Sequence, residues 1–332
     1  MIRISTCAGT VVLLLACSLA PAQQPAPAKS APAEGYPAKP IRIVAPFPPG
    51  GGLDLMARVI AQWLTDAWGR QVVVDNRPGA GGSIGAAIAA KAAPDGYTLL
   101  IVSSAHTVNA TLYRKLPYDT LKDFDPVLLV TAVPHLLVVH PSLPASTVKQ
   151  LVAIAKSRPG EVAYASGGLG SSTHLAGELF RNMAKIKLLH VPYKGTGPSL
   201  VDVLSGQVPV TFGTVPSVIQ QVKAGKLRAL GLTGAKRARL VPDVPTIAEA
   251  GVPGYEAATW HGVLVPAGTP AAIVAKLNGE IMRMLNDAEI RARVTRDGLE
   301  PLGSTPEQFD AYLRAEVRKW AQVIRTAGIR VE

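Results

Sequence analysis

The sequence predicts an α/β fold of two doubly wound domains joined by two crossover connections. Three observations lead there. From residue 40 onward, apolar runs of strand length alternate with segments whose apolar residues recur every three or four positions. Glycine-rich turns separate strand from helix, as at Pro49-Gly50-Gly51-Gly52. The strands are also too many for one sheet of ordinary width.

Residues 41–46 form the first predicted strand. In 53–68, Leu53, Met56, Ala57, Ile60, Leu64, Ala67 and Trp68 share one helical face. A strand at 71–74, a glycine turn, a helix at 84–91 and a strand at 97–103 repeat the pattern. Later come strands at 162–166, 188–191, 208–212 and 227–232, with helices at 173–183, 198–204 and 215–223 between them. Such alternation implies parallel sheets with helices on both faces. The strand at 135–140 is read as the crossing into the second domain and 260–266 as the crossing back. Helices at 270–285 and 306–326 then complete the first domain, giving 36–138 plus 258–332 against 139–257. The last helix places Phe309, Leu313, Val317, Trp320 and Val323 inward and basic residues outward. No repeat of 20–50 residues is found.

The N-terminus indicates the compartment. Residues 1–22 read as an export signal, with Arg3, an apolar run over 11–20 and a cleavage-like Ala20-Pro21-Ala22. A Pro/Ala-rich linker covers 23–35. A second reading takes Leu14-Leu15-Ala16-Cys17 as a lipobox, with Cys17 acylated and the linker as a tether. Both readings place the mature protein outside the cytoplasm. The apolar run is shorter than the roughly 20 residues that span a bilayer. Cys7 and Cys17 are the only cysteines, so processing at Ala22 leaves no thiol for disulfides, metal ligation or nucleophilic catalysis.

Composition narrows the partners. A chain with 48% hydrophobic and 17% charged residues folds, and a net charge of +11 favours anions: nucleic acid, anionic membrane or small carboxylates. Aromatic residues make up only 5%, and no Lys/Arg block interleaves with them, which argues against nucleic acid.

In parallel α/β sheets ligands bind where strands end and helices begin. The first N–H groups of a helix lack internal partners and face anions favourably. Glycines at such a turn let a ligand reach the backbone. Gly50-Gly51-Gly52 is one such turn, and Ser166-Gly167-Gly168-Leu169-Gly170-Ser171-Ser172-Thr173 is a second on the other domain. The two suggest a clamp; tight-turn geometry alone is the plainer reading of each. The hydroxyls of Ser171, Ser172 and Thr173 either cap their helix or meet a carboxylate. Asp54 either complements its helix N-terminus or contacts the ligand.

Other chemistries lack their motifs. The glycines at 79, 81 and 85 do not follow G-x-G-x-x-G, and neither G-x-x-x-x-G-K-[ST] nor G-x-S-x-G occurs. Ser171 and His174 are spaced as helix neighbours, unsuited to nucleophile and base. The six histidines are scattered without H-E-x-x-H, so neither a metal nor a cofactor is expected.

Taken in order, PFPPGGGLD, VVVDNRPGAGGSIG, APDGYTLL, GSSTHLAGELF, HVPYKGTGPSL, AGKLRAL, PDVPTIAEAGVPGYE and GVLVPAGTP resemble the motif series of the tripartite tricarboxylate transporter substrate-binding receptors, the Bug family. The resemblance spans about residues 36–330. It implies a type II-like periplasmic binding protein, a monomeric clamshell that closes on a small organic carboxylate and delivers it to cognate integral-membrane permease subunits without chemistry. Carried over by position, the first ligand loop is Pro49, Gly50, Gly51, Gly52, Leu53 and Asp54. Ser103, Ser104 and His106 follow the third strand. The second-domain loop is Gly168, Gly170, Ser171, Ser172 and Thr173, with Tyr193 and Lys194 at the cleft edge and Gly213 and Thr214 after Phe212. Leu53 stands where many relatives carry a hydroxyl or a small residue, and Gly213 with Thr214 where many carry an acidic or amide residue. This favours a dicarboxylate or an apolar or aromatic monocarboxylate over aspartate- or glutamate-like ligands. A secreted enzyme or an envelope adaptor on the same scaffold are the alternatives.

Overall fold

A computed structural model describes residue 2 and residues 35–193 and 195–329. The predicted leader, Cys17, most of the linker and Lys194 lie outside the described residues. All elements fall in the compact unit Pro32–Glu332. The first lobe begins β1 (Ile41–Ala45), α1 (Gly52–Trp68), β2 (Val72–Asn76), α2 (Ser83–Ala90), β3 (Thr98–Ser103), α3 (Ala105–Leu112) and β4 (Phe124–Val133). The second holds β5 (His135–Val139), α4 (Val148–Ser157), β6 (Ala163–Ser166), α5 (Ser172–Ala184), β7 (Leu189–Pro192), α6 (Thr196–Leu204), β8 (Val210–Thr214), α7 (Val215–Lys223) and β9 (Arg228–Leu232). The chain returns through β10 (Thr259–Pro266), α8 (Ala271–Asn286), α9 (Ala288–Arg296), β11 (Glu300–Pro301) and α10 (Pro306–Ala327).

The strands form two sheets, ordered β11-β4-β10-β3-β1-β2 and β7-β6-β8-β5-β9. Both are mixed, which corrects the expectation of parallel sheets. β1 runs parallel to β2 and β3, but β10 is antiparallel to β3 and β4. In the second sheet β5 is antiparallel to β8 and β9. The reason is the crossing itself. β1, β3, β6 and β8 run toward the junction of the lobes, whereas a strand that has just crossed starts at that junction and must run away from it.

Each sheet is covered on both faces. On one face of the first sheet, Met56, Ile60 and Leu64 of α1 pack with Leu277, Ile281 and Met284 of α8. On the other, Trp260 and Leu264 of β10 meet Phe309 and Leu313 of α10. α10 does not stop there. Its second half sends Trp320, Val323 and Ile324 into the second lobe's core with Tyr164, Phe180 and Phe212. Thr305 starts this helix with a reciprocal capping box to Gln308, and Gly328, at φ 65°, ends it.

Packing leaves no room at Gly262. A Cβ there would lie 2.2 Å from Phe309 Cζ, and the ring is fully buried. Gly262→Ala is expected to lower stability by about 1–3 kcal/mol, read as a lower urea midpoint at constant m value.

Candidate functional site

The strand ends that meet at the lobe junction carry the loops that matter. β1 runs into Phe47 and the glycine turn, where Gly50 adopts φ 94°, a conformation that disfavours any side chain. α1 then starts on Gly51 without a side-chain cap, so its first N–H groups are left without a side-chain partner. A Cβ on Gly50 or Gly51 would touch nothing within 4 Å. These two glycines therefore border open space and are not demanded by packing.

Asp54 holds this turn in shape. Its carboxylate accepts from Gly50 N–H at 3.0 Å, from Arg58 at 2.9 and 3.1 Å, and from Asn76 Nδ2 at 2.9 Å. Burial pushes its pKa up, but the bonds from Arg58, Gly50 and Asn76 together outweigh it and hold the carboxyl below its ordinary range. With its oxygens committed, Asp54 acts as an anchor for the loop.

The second-lobe loop is equally prearranged. Gly168 and Gly170 have φ of 124° and 73°. Ser171 caps α5, accepting from His174 N–H at 3.2 Å, and its hydroxyl donates to Gly168 O at 2.7 Å. Thr173 Oγ1 accepts from Gly167 N–H at 2.9 Å. Gly170 N–H donates to His174 Nδ1 at 3.0 Å, which places that ring's proton on Nε2, 3.8 Å from buried Glu178. Ser172 Oγ lies 3.1 Å from His135 Nε2, at the start of β5.

Between the lobes lies a cavity of about 460 Å³. Its first-lobe wall is Phe47, Gly81, Ser103, Ser104, Asn109, Leu112 and Tyr113. Leu169, Gly170, Ser171, Ser172 and Leu175 form the other, and Thr259 lies at the returning strand. Not one of the described lining residues is charged. A smaller pocket adjoins it through Phe47, Gly81, Ser103 and Asn109 and includes His106. Asn109 Nδ2 donates to Gly81 O at 2.9 Å, tying α3 to the turn before α2.

Five of the predicted residues, Ser103, Ser104, Gly170, Ser171 and Ser172, thus share one cavity. Pro49, Gly50 and Gly51 sit on the exposed loop before α1, and Gly52, also exposed, is the helix's first residue; none of the four lines the cavity. Leu53 turns into the core, 6% exposed, so it does not shape the pocket; the apolar wall comes from Leu112, Tyr113 and Leu169. Thr173 is buried beneath its loop, while Gly168 would bring a Cβ 3.0 Å from Tyr193 O. Tyr193 donates to Asp202 at 2.6 Å, which raises its pKa to about 12. Gly213 is packed under Val218, where a Cβ would meet Cγ1 at 2.4 Å. Thr214 donates to Ser217 Oγ at 3.0 Å. Sequence reasoning missed Asn109, Leu112 and Tyr113, since α3 has no clear apolar stripe. Phe47 and Gly81 stood within quoted motifs and were not singled out.

Residues 56–329 match the family model described as "Tripartite tricarboxylate transporter family receptor". The chain belongs to that family. Its members are periplasmic solute-binding receptors, and the receptor performs no chemistry on its ligand. Protein BugT of Bordetella pertussis is 41% identical over 302 residues, covering 90% of this receptor and 93% of that protein. Among solved structures, Rpa4515 of R. palustris with adipate is 40% identical with a TM-score of 0.73, over 89% of this receptor and 99% of that chain. MatC of Rhodopseudomonas palustris with bound malate is 32% identical with a TM-score of 0.69, over 87% and 100%.

Buried histidines stand behind the loops of the receptor's cleft, His135 bonded to Ser172, His174 to Gly170 and His261 beside Gly52, while His106 lines the adjoining pocket. Burial lowers His106, His135 and His261 to about 4. Burial, then His190 and Arg181, lowers His174 to about 3. All lie below the ordinary value of about 6.5, so the unfolded chain binds more protons. Their contribution to stability is complete above about pH 6.5 and is lost as pH falls toward about 4. Urea unfolding from about pH 7 to about pH 5 is expected to show stability dropping by up to about 1.4 kcal/mol per pH unit for each histidine. A flat profile would show that these rings take up protons in the fold just as they do in the unfolded chain.

Proposed function

We propose that the receptor captures a small dicarboxylate in the cleft and hands it to its integral-membrane permease subunits. The observation that carries this reading is a cleft whose described lining bears no charge and whose polar groups are neutral. The helix starts at α3 and α5, and the side chains of Ser103, Ser104, Ser171 and Ser172, converge on it from both lobes. Helix N-termini and neutral donors hold carboxylates well. An ammonium would find no carboxylate among the described lining residues, and Asp54 outside it is already committed to Arg58, Asn76 and Gly50. Solved relatives carrying adipate and malate support a dicarboxylate over an amino acid.

The lobes, taken as 36–138 plus 258–332 and 139–257, close by rotation about the crossings near Pro134 and Ala258. Ser171 and Ser172 then approach Ser103 and Ser104 around the ligand. The mature receptor acts as a monomer in the periplasm after loss of residues 1–22, with acylation of Cys17 as the variant form.

Thermal-shift and calorimetric titration with adipate, malate, succinate and glutamate test the reading. At least one dicarboxylate is expected to raise the melting temperature by mass action, and glutamate to leave it unchanged. Ser172→Ala is expected to weaken the bound dicarboxylate roughly 3- to 10-fold, the worth of one hydrogen bond. Tight glutamate binding with silence from every dicarboxylate would overturn the assignment.

A further inference from the structure

A second cavity, of about 430 Å³, shares no lining residue with the cleft. Ala258 lines this cavity and Thr259 lines the cleft. Consecutive residues of an extended segment face opposite ways, so the two spaces lie on opposite sides of the returning crossover. Its walls come from both lobes: Leu129, Pro301 and Tyr312 on one side, and the 234–239 loop on the other. The lobes are bonded across it, since Arg239 N–H donates to Glu300 Oε1 at 3.0 Å.

The charge of this cavity is unlike that of the cleft. Four cations line it, Lys236, Arg237, Arg239 and Arg291, against two carboxylates, Glu256 and Glu300. Arg237 is spent on Glu249 at 2.9 Å, and Arg291 donates to Leu285 O at 3.0 Å. The Lys236 ammonium and the Arg239 guanidinium make neither an ion pair nor a hydrogen bond with another described residue. Both stand at the mouth of a concave, partly apolar space large enough for a small molecule. Cations clustered around a pocket raise the local concentration of anions, and a guanidinium binds phosphate or carboxylate oxygens in pairs.

We propose that this cavity behind the crossover is a second ligand site, which takes a small multiply charged anion through Lys236 and Arg239. An anion there touches both lobes, so it stabilises one setting of the hinge that the cleft ligand also acts on. The site stands independently of what the cleft binds.

Inorganic pyrophosphate and citrate are the probes, titrated calorimetrically into the mature protein and, in parallel, into K236Q/R239Q and S172A. Pyrophosphate is expected to bind the wild type and S172A alike, to raise the melting temperature of both, and to weaken with added salt. In K236Q/R239Q the affinity is expected to fall at least about tenfold, while both substituted side chains are exposed and the fold stays intact by circular dichroism. Citrate following the same pattern assigns the site to polyanions in general; citrate lost only in S172A assigns it to phosphate groups, with citrate in the cleft. Equal pyrophosphate affinity in wild type and K236Q/R239Q, or no binding up to about 10 mM, would overturn the proposal and leave these cations as a solvated face.

Discussion

A single buried carboxylate, Glu316, fixes how the two lobes share a scaffold. It is 3% exposed and accepts from Trp260 Nε1 at 3.0 Å and Trp320 Nε1 at 2.8 Å, while Lys319 pairs with it. A buried carboxylate without such partners costs several kcal/mol, so the three donors are bound to keep their places. Trp260 opens the strand returning from the second lobe, and Trp320 reaches into the second lobe's core. The bond pair therefore locks α10 across the junction, with Phe309 and Leu313 on one core and Val323 and Ile324 on the other. Two crossing segments and one helix hold everything that the loops must face.

On that frame, the ligand loops are built before any ligand arrives. The Ser171 and Thr173 hydroxyls and the Asp54 carboxylate are engaged within their own loops. Such commitment lowers the ordering cost of binding. It also leaves the cleft to backbone N–H groups and a few neutral side chains. The histidines around it belong to the same design, since burial keeps them uncharged at neutral pH. No cation is found among the described lining residues, so an anion held there by dipoles can leave for a partner without breaking an ion pair with them. The chain's excess positive charge sits elsewhere, including the cavity behind the crossover.

Much of this was legible in the residues. The helix read over 215–223 is α7 itself, and the one read over 53–68 starts a single residue late, because both carry strong apolar stripes. α3 and β4 were not legible. α3 is short and weakly amphipathic, and Pro126 interrupts β4 where its register against β10 shifts. The strand read over 208–212 runs instead to Thr214, drawing Gly213 into the sheet under Val218. Leu53 was read as a pocket residue, yet helical periodicity alone assigns it to the core stripe with Met56 and Ile60.

By itself, the sequence determined the alternation of strands and helices, the two glycine loops at helix starts and the family, since each is written in local spacing. Tertiary structure decided strand direction, because a strand that crosses between lobes must leave the junction that the others approach. It decided, too, that Asp54 anchors its loop, that α10 serves both lobes, and that the described lining of the cleft is uncharged while a basic cavity lies behind it. Those facts depend on which side chains meet across distant segments, and local spacing carries no record of such meetings.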